Sequence, residues 1–528
     1  MESSLQRFLE ATKYALAKEQ EKPEEDTIVV SDTVSVAASA YETLRNTLEY
    51  DEEHVLRRNA IRRICKRRLG EQKTGVLAQD LLRELIWARY LPNKRVPERM
   101  AQEIKAIFDK YDLLFSQVAL NSKNSQEKYD WLLDVLATEI EYHLEPPVVN
   151  EAFAAFAYQE VKKRLLWATP LVAEPDRELQ VFAAVYRAVL KSDQATLRYR
   201  LLTLYYPAWP EASFDHPVVR EVASHLETVI AAIEKQLDHP AADILFRLVR
   251  RHAIVFHVLR DIAVDNPLAF EQALGSLDKP RMEASIRKAV GARNNKFARR
   301  LRKSVVRAVL FLLCTKLVMA LVIELPFELF FLKVTDYKPL LINIIFHPLL
   351  LGLLGLTTTT PKQNNTDKII EEALSLVDID HEGAFKILIK KKGSLSGGFL
   401  DILFKTLYGA AFLTTITLLI FALRAIHFNV ISIAFFLFFL SLVLFFGIQL
   451  RLSRRDLLVV ESSGGIIGSI FDVLFLPIIR VGRWMAMRAP KVNVFLFFFD
   501  FIVEAPFKGA IRLVEGWLAF LREKKEEI

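Results

Sequence analysis

The feature that most constrains the fold is a basic segment that leads straight into an apolar one. Between Arg281 and Arg307 the sequence holds ten basic side chains and one acidic side chain. An apolar run follows at about 308–332, and its length suits the roughly 20 residues that a helix needs to cross about 30 Å of hydrocarbon. Because basic residues flank membrane helices on the cytosolic side, the junction predicts where the chain enters a membrane and separates a soluble half from a membrane half.

Three further apolar stretches predict three more spans, at about 340–356, 406–426 and 429–450. Basic residues precede the first span, lie between the second and third, and follow the fourth. All three places then fall on one side, which the positive-inside tendency assigns to the cytosol. The sequence therefore predicts a multi-pass protein of the cell inner (plasma) membrane, with both termini cytosolic.

The formal charge is concentrated in the membrane half. Residues 1–300 carry 44 basic and 44 acidic side chains, whereas residues 301–528 carry 26 basic and 19 acidic ones, so the net charge of +7 belongs to the second part. A basic excess beside a membrane favours anionic lipids as partners over nucleic acid. The side chains predicted to contact lipid head groups are Arg299, Arg300, Arg302, Lys303, Arg307, Arg454, Arg455, Arg480 and Arg483.

The soluble half shows the three- and four-residue apolar spacing of amphipathic helices. Its prolines fall between these periodic segments, where helices begin or end. We predict helices and no strand here, at 31–69, 74–91, 96–119, 124–143, 147–167, 175–204, 216–237, 239–263 and 266–276. The predicted fold class is all-α: a multi-pass helical membrane protein with a large N-terminal cytosolic helical domain.

Composition changes along the chain predict its organisation. The loop between spans two and three is expected to carry a helix capped by Asn365 or Thr366, and a small β-hairpin over 376–393. The predicted parts are a polar segment 1–30, a helical domain 31–280, a basic juxtamembrane helix 281–307, a transmembrane hairpin 308–356, a cytosolic loop 357–404, a second hairpin 405–450 and a C-terminal region 451–528.

The C-terminal region contains two amphipathic segments, 466–488 and 494–520. In the second, charged residues recur every three or four positions along one side of an apolar helix, as in helices that lie in the membrane interface. If both segments crossed the membrane, Arg480 and Arg483 would lie outside, against the positive-inside tendency. Interfacial or re-entrant helices are therefore favoured, and six full spans remain the alternative.

Five polar side chains lie inside the first two spans. Lys316, Glu324 and Glu328 share an arc of about 120° on the first span, while Asn343 and His347 stand four residues apart on the second. A charge at this depth costs about 2.5–3.5 kcal/mol on insertion scales. Antiparallel packing is expected to bring the glutamates near Asn343 and His347. Such a cluster either joins the helices through hydrogen bonds or forms a path for an ion, proton or substrate.

Motifs of catalysis are missing from the sequence. It has no HExxH, no pair of CxxC motifs and no GxSxG, so we predict no enzyme activity, no cofactor and no metal site. Two hypotheses of function remain. The first is an integral membrane scaffold or assembly protein, whose cytosolic helical domain binds an unidentified cytosolic or membrane protein. The second is a small transporter or channel that uses the polar cluster, and four spans would then require a homo-oligomer.

Overall fold

A computed structural model describes residues 4–18, 26–31, 35, 39, 42, 53–69, 74–120, 125–332, 337–358, 360–379, 385–389 and 399–459. These residues are helical almost throughout, which confirms the all-α fold class. They divide into two compact units. The first comprises the described residues within 1–163 and 172–247, and the second comprises 164–171 and the described residues from 248 onward.

The first unit is a bundle of amphipathic helices around an apolar core. Its central helix, α5, packs against α2, α4 and α8 and contributes Leu136 and Ile140 to the core with no exposed surface. The helices are α1 Ser4–Lys18, α2 Glu53–Arg68, α3 Thr74–Trp87, α4 Arg99–Leu120, α5 Ser125–Leu144, α6 Val148–Arg164, α7 Glu174–Ala188, α8 Gln194–Tyr205, α9 Pro217–Ser224 and α10 Leu226–Leu237.

Two segments that were predicted as single helices are each divided in two. The segment 175–204 is interrupted between α7 and α8, where Lys191 has a positive φ of 54°. The carboxylate of Asp193 then accepts a hydrogen bond from the backbone N–H of Thr196 at 3.1 Å and begins α8. In 216–237 the break falls at His225, between α9 and α10. The prediction was wrong here because apolar periodicity continues across both breaks. At the first break the side chain of Asp193 caps the new helix, whereas at the second His225 begins α10 without a side-chain capping bond.

Helix α2 is strongly basic, and its charges are neutralised inside the first unit. Arg57 forms a bidentate pair with Glu141, and Arg58 does the same with Asp193. Further pairs of this helix are Arg62–Asp134, Arg63–Glu42, Lys66–Asp130, Arg67–Glu84 and Arg68–Glu84. The cations of α2 therefore act in joining helices within the bundle, as bidentate arginine–carboxylate pairs do.

The second unit contains the apolar helices and a short pair of strands. The boundary between the two units falls near residue 248, within the first helix of this unit. The helices are α11 Ala242–Asp265, α12 Pro267–Gly275, α13 Lys279–Met319, α14 Tyr337–Thr357, α15 Gln363–Leu376, α16 Phe399–Ala425 and α17 Val430–Ser453.

Strands β1 Leu165–Trp167 and β2 Ile387–Ile389 pair in parallel, with Leu166 opposite Leu388. This corrects two expectations: that the soluble half lacks strands, and that 376–393 forms a hairpin. The first run of the expected hairpin ends α15 and continues into a turn. The second run alternates between buried and exposed residues, and it takes its backbone partner from a distant apolar run instead.

Four helices among the described residues are long and apolar enough to cross a membrane: Lys279–Phe330, Tyr337–Thr357, Thr406–Ala425 and Val430–Leu457. They correspond to the four predicted spans. The first continues from α13 through two π-helical turns, Ala320–Glu324 and Glu328–Leu332, on either side of Leu325–Phe327. Pro326 lies between the two turns, and its missing N–H and bulky ring disturb the regular α-helical hydrogen bonds.

Helix α14 packs between α13 and α17, and glycines allow the close approach. A Cβ atom on Gly355 would lie 2.6 Å from Cγ1 of Val305 in α13, and one on Gly447 would lie 2.7 Å from Cδ1 of Leu354. Helix α16 instead exposes large apolar side chains such as Leu413 and Phe421, as a lipid-facing helix does. The segments 466–488 and 494–520, with Arg480 and Arg483, lie outside the described residues.

Candidate functional site

A cation, an amide and a carboxylate form a continuous hydrogen-bonded line between α13 and α14. The Nζ of Lys316 donates to Oδ1 of Asn343 at 2.6 Å. The Nδ2 of Asn343 donates to Glu324, at 2.7 Å from Oε1 and 2.9 Å from Oε2. Each of these residues is 1% exposed. An amide suits the central position because it accepts through oxygen and donates through nitrogen, so it serves both charges at once.

His347 joins α14 to α17. Its Nε2 lies 2.9 Å from the backbone oxygen of Phe436 in α17, and its Nδ1 lies 3.2 Å from the backbone oxygen of Asn343. We assign the N–H of a neutral ring to Nε2, because that contact is shorter and crosses between helices. The ring has no exposed surface and touches the rings of Phe346, Phe436 and Phe439.

Helix α17 contributes polar groups that the sequence analysis missed. Asn429 caps this helix by accepting from the N–H of Ser432 at 2.8 Å, and its Nδ2 donates to Oε1 of Glu328 at 2.8 Å. The hydroxyl of Ser432 lies 3.4 Å from Oε2 of Glu324. A signal for these residues existed in the sequence, since an asparagine three positions before a serine at the start of a span is an N-cap pattern.

The structure thus brings the five predicted cluster residues to the interface of three helices, but in two parts. Lys316, Glu324 and Asn343 are directly bonded, and His347 lies one turn from Asn343. Glu328 instead contacts Asn429 at the start of α17. Of the two glutamates expected near Asn343, Glu324 is the one that bonds to it. We call the whole set, with Asn429 and Ser432, the intramembrane network, after the predicted spans in which its residues lie.

The intramembrane network is also closed by an aromatic contact. The ammonium of Lys316 lies 4.2 Å from the ring centroid of Phe439 in α17, a distance at which a desolvated cation is attracted to the ring. Each side chain of the network therefore contacts a second helix. Within the described residues no group of three or more His, Cys, Asp or Glu side chains could hold a metal ion. The chemistry that this arrangement performs directly is hydrogen bonding between α13, α14 and α17.

Basic side chains lie at one end of these helices. Arg299, Arg300 and Arg302, with Lys303 and Arg307, are exposed on α13 ahead of the apolar part. Arg454 and Arg455 belong to a 3₁₀ turn, Arg454–Leu457, that follows α17. The contacts of Gly355 with Val305 and of Gly447 with Leu354 bring the same ends of α13 and α17 to α14. The two basic sets therefore share one end of the helix group.

Helix α15 docks at that same end through polar contacts. Asn365 donates to the backbone oxygen of Leu457 at 2.8 Å and accepts from the N–H of Val459 at 2.9 Å. Arg250 binds Asp456 in the same turn at 2.7 Å. The predicted role of Asn365 or Thr366 as a cap is wrong, because α15 begins at Gln363 and Asn365 is buried against the end of the fourth apolar helix.

A histidine–carboxylate pair joins α11 to α15. Nδ1 of His252 lies 2.8 Å from Oε2 of Glu372, whose side chain is 2% exposed. The imidazole stacks on the ring of Phe385 at 4.1 Å between centroids. The pair therefore fixes the loop helix to the rest of the second unit.

Comparisons with known proteins add no family, because no protein-family model, curated protein or solved structure matches this chain.

Proposed function

We propose that the chain is a multi-pass integral membrane scaffold of the cell inner (plasma) membrane. Its four apolar helices anchor it, both termini are cytosolic, and its N-terminal helical domain binds a partner protein. The observation that carries this proposal is the closure of the intramembrane network. Lys316, Glu324 and Asn343 bond to one another across two helices with 1% exposure each.

The energetics of the membrane favour a structural role for this network. A charge within the hydrocarbon costs about 2.5–3.5 kcal/mol on insertion scales, so the lysine and the glutamate are tolerated because they are compensated. Hydrogen bonds between membrane helices contribute on average about 0.6 kcal/mol and at most about 1.7 kcal/mol each. Several such bonds over three helices stabilise one arrangement of α13, α14 and α17. A defined arrangement is what an anchor requires.

Continuity between the anchor and the helices that precede it also supports the scaffold hypothesis. Helix α13 runs for 41 residues without a break, a length of about 60 Å at 1.5 Å per residue. Its first part packs against α12 and α15, and its last part packs against α14. Within the second unit, the helices that pack on the first part of α13 are therefore joined to the apolar helices through one stiff element.

The surface that we propose for a protein partner is the end of α8 and the following α8–α9 loop of the first unit. Leu204, Tyr205 and Phe214 are 43%, 40% and 44% exposed within eleven residues. Trp209, between them, is fully buried, and its indole N–H donates to Glu139 at 2.8 Å. The surface thus presents Tyr205 and Phe214 on either side of a buried tryptophan, and aromatic residues are enriched in protein interfaces.

A second function, a small oligomeric transporter or channel, is favoured by one observation. Glu324 and Glu328 belong to the two π-helical turns around Pro326. Such turns occur frequently at functional sites, and carboxylates within membrane helices mark many ion and proton paths. In this hypothesis Glu324 would exchange protons or cations, and copies of the chain would assemble around the path.

Ion flux into proteoliposomes separates the two functions. The full chain is reconstituted, a pH gradient and then a K⁺ or Na⁺ gradient is applied, and flux is compared with that of protein-free vesicles. The scaffold proposal expects no added flux from the wild type or from Glu324→Gln. Flux that Glu324→Gln abolishes, and that the control variant Thr315→Val retains, would support the transporter and overturn the scaffold.

Partner retention tests the scaffold proposal itself. The full chain and the double variant Tyr205→Ala/Phe214→Ala are purified from native membranes in a mild detergent, and the mass of each complex is determined. We expect a stoichiometric partner that the double variant loses while its amount in the membrane is unchanged. Tyr14→Ala is the matched control, since Tyr14 is an exposed aromatic of α1. Equal loss in this control, or no partner with the wild type, would contradict the proposal.

A further inference from the structure

Unpaired cations are concentrated in one part of α13. Earlier in the helix, Arg287 pairs with Asp367 at 3.1 Å and Arg293 pairs with Asp261 at 2.7 Å. Among the described residues no carboxylate pairs with the next basic side chains, which are all exposed: Lys296, Arg299, Arg300, Arg302, Lys303 and Arg307. Arg281 and Lys288 also have no carboxylate partner among the described residues, but from Lys296 to Arg307 all six cations are uncompensated, directly ahead of the apolar part of the helix. This positive charge is therefore left to a ligand.

Five of these six cations share one face of α13. At about 100° per residue, Lys296, Arg299, Arg300, Lys303 and Arg307 lie within an arc of about 100°. Val305 and Val309 contact the glycines of α14, and they lie on the opposite side of the helix. The cationic face is therefore directed away from the helices that α13 packs against. Arg302 lies outside this arc, about 160° around the helix from Arg300.

The same face continues into the membrane as an exposed apolar strip. Leu310, Leu317 and Val318 are 56%, 50% and 56% exposed, and Cys314 is exposed between them. From Arg307 to Val318 the helix rises by about 16 Å, which equals about one leaflet of a hydrocarbon core of about 30 Å. The cations and the strip thus follow one another along a single side of one helix.

We propose that this face of α13 binds an anionic phospholipid of the cytosolic leaflet. Arg300, Lys303 and Arg307 hold its phosphate and head group, and an acyl chain lies along Leu310 and Leu317. The proposal rests on the proposed membrane insertion of α13 and adds the class of lipid and its position. It makes the lipid part of the anchor, bound against α13 on the side that α14 leaves open.

The dimensions of the face favour a lipid over other anions. Lys303 and Arg307 are one turn apart, about 6 Å along the axis, and the head-group layer of one leaflet is about 5–8 Å thick. Lys296 and Arg299 lie further from the hydrocarbon. Their distance from the head-group layer is comparable to the Debye length of about 8 Å at physiological ionic strength, so they still attract the anionic surface. A nucleic acid or an acidic peptide would match the cations but would leave the apolar strip uncovered.

Competition between lipids tests the site. The full chain is placed in nanodiscs of phosphatidylglycerol and phosphatidylcholine in a 1:4 ratio, extracted in mild detergent, and the retained lipids are counted by native mass spectrometry. We expect the wild type to retain phosphatidylglycerol preferentially. A cation near a charged membrane surface changes binding by about fivefold, so Arg300→Gln should lower the preference by about that factor.

Arg302→Gln is the matched control, because it removes the same group two residues away but off the face. It should change the preference by less than about twofold. An equal effect of both variants would mean diffuse attraction to the membrane and would overturn the site, as would no effect of either. Carbonate extraction of the wild type distinguishes this outcome from failure of the proposed anchor, since a chain that is not inserted would be released from membranes.

Discussion

Asn343→Leu is the substitution that most selectively removes the bonding of the intramembrane network. Leucine has the same number and branching of side-chain heavy atoms as asparagine, so the change deletes hydrogen bonds without opening a cavity. It removes the donor to Glu324 at 2.7 and 2.9 Å and the acceptor for Lys316 at 2.6 Å. Bonds between membrane helices contribute about 0.6–1.7 kcal/mol each. Losing the bonds to both charges should therefore lower the free energy of unfolding by about 1–3 kcal/mol.

The assay is reversible unfolding in mixed micelles, with the fraction of SDS as denaturant and helix content or tryptophan fluorescence as readout. Thr315→Val is the control, because its hydroxyl bonds to the backbone oxygen of Phe311 in its own helix at 2.8 Å and to no other group among the described residues. This control should change stability by less than about 0.5 kcal/mol. If Asn343→Leu were as stable as the wild type, the network would not join the helices and the reasoning would be refuted.

Three further predictions concern other parts of the chain. Gly355→Ala should cost about 1–3 kcal/mol in the same assay, because its Cβ would meet the stiff side chain of Val305, whereas Gly352→Ala should be neutral with its nearest neighbour at 4.0 Å. Burial raises the pKa of the Cys65 thiol, so maleimide should label it only after unfolding, which mass spectrometry of labelled peptides checks. Burial alone would raise the pKa of Asp193, but the guanidinium of Arg58 in α2 lowers this pKa below its ordinary value. Its contribution to stability is therefore present above about pH 4 and lost as the pH falls, and Asp193→Asn should be less acid-sensitive than the wild type in thermal melts at pH 3 and 6.

Local patterns were sufficient to predict the apolar helices and part of the intramembrane network. Lys316, Glu324 and Asn343 stand out because a charge or amide within an apolar run is costly, and a hairpin of two neighbouring spans has few ways to pair them. The structure agrees with that argument for these three residues. Local sequence patterns could not predict the partner of Glu328. Asn429 lies 101 positions away, and the sequence does not specify which helices its span packs against.

The remaining differences have the same origin in long-range packing. The residues of strand β2 were predicted to be β-prone, and they do form a strand. A run of three residues does not indicate which other segment will pair with it. Asn365 looks like a helix cap by composition, yet it bonds to Leu457 and Val459, more than ninety positions away. The break at Lys191 is followed by the capping contact of Asp193, and the break at His225 is a local change of backbone conformation without a side-chain cap. Apolar periodicity reveals neither.

The most direct test of the central claim is a double-mutant cycle on Lys316 and Glu324. Unfolding free energies are measured in mixed micelles for Lys316→Met, Glu324→Gln and the charge-balanced double variant. Each single variant leaves one uncompensated buried charge. If the network joins the helices, the double variant should lose less unfolding free energy than the sum of the two single losses, by at least about 0.5 kcal/mol. Strictly additive losses would show that the two charges do not stabilise the fold through one another, and would contradict the account.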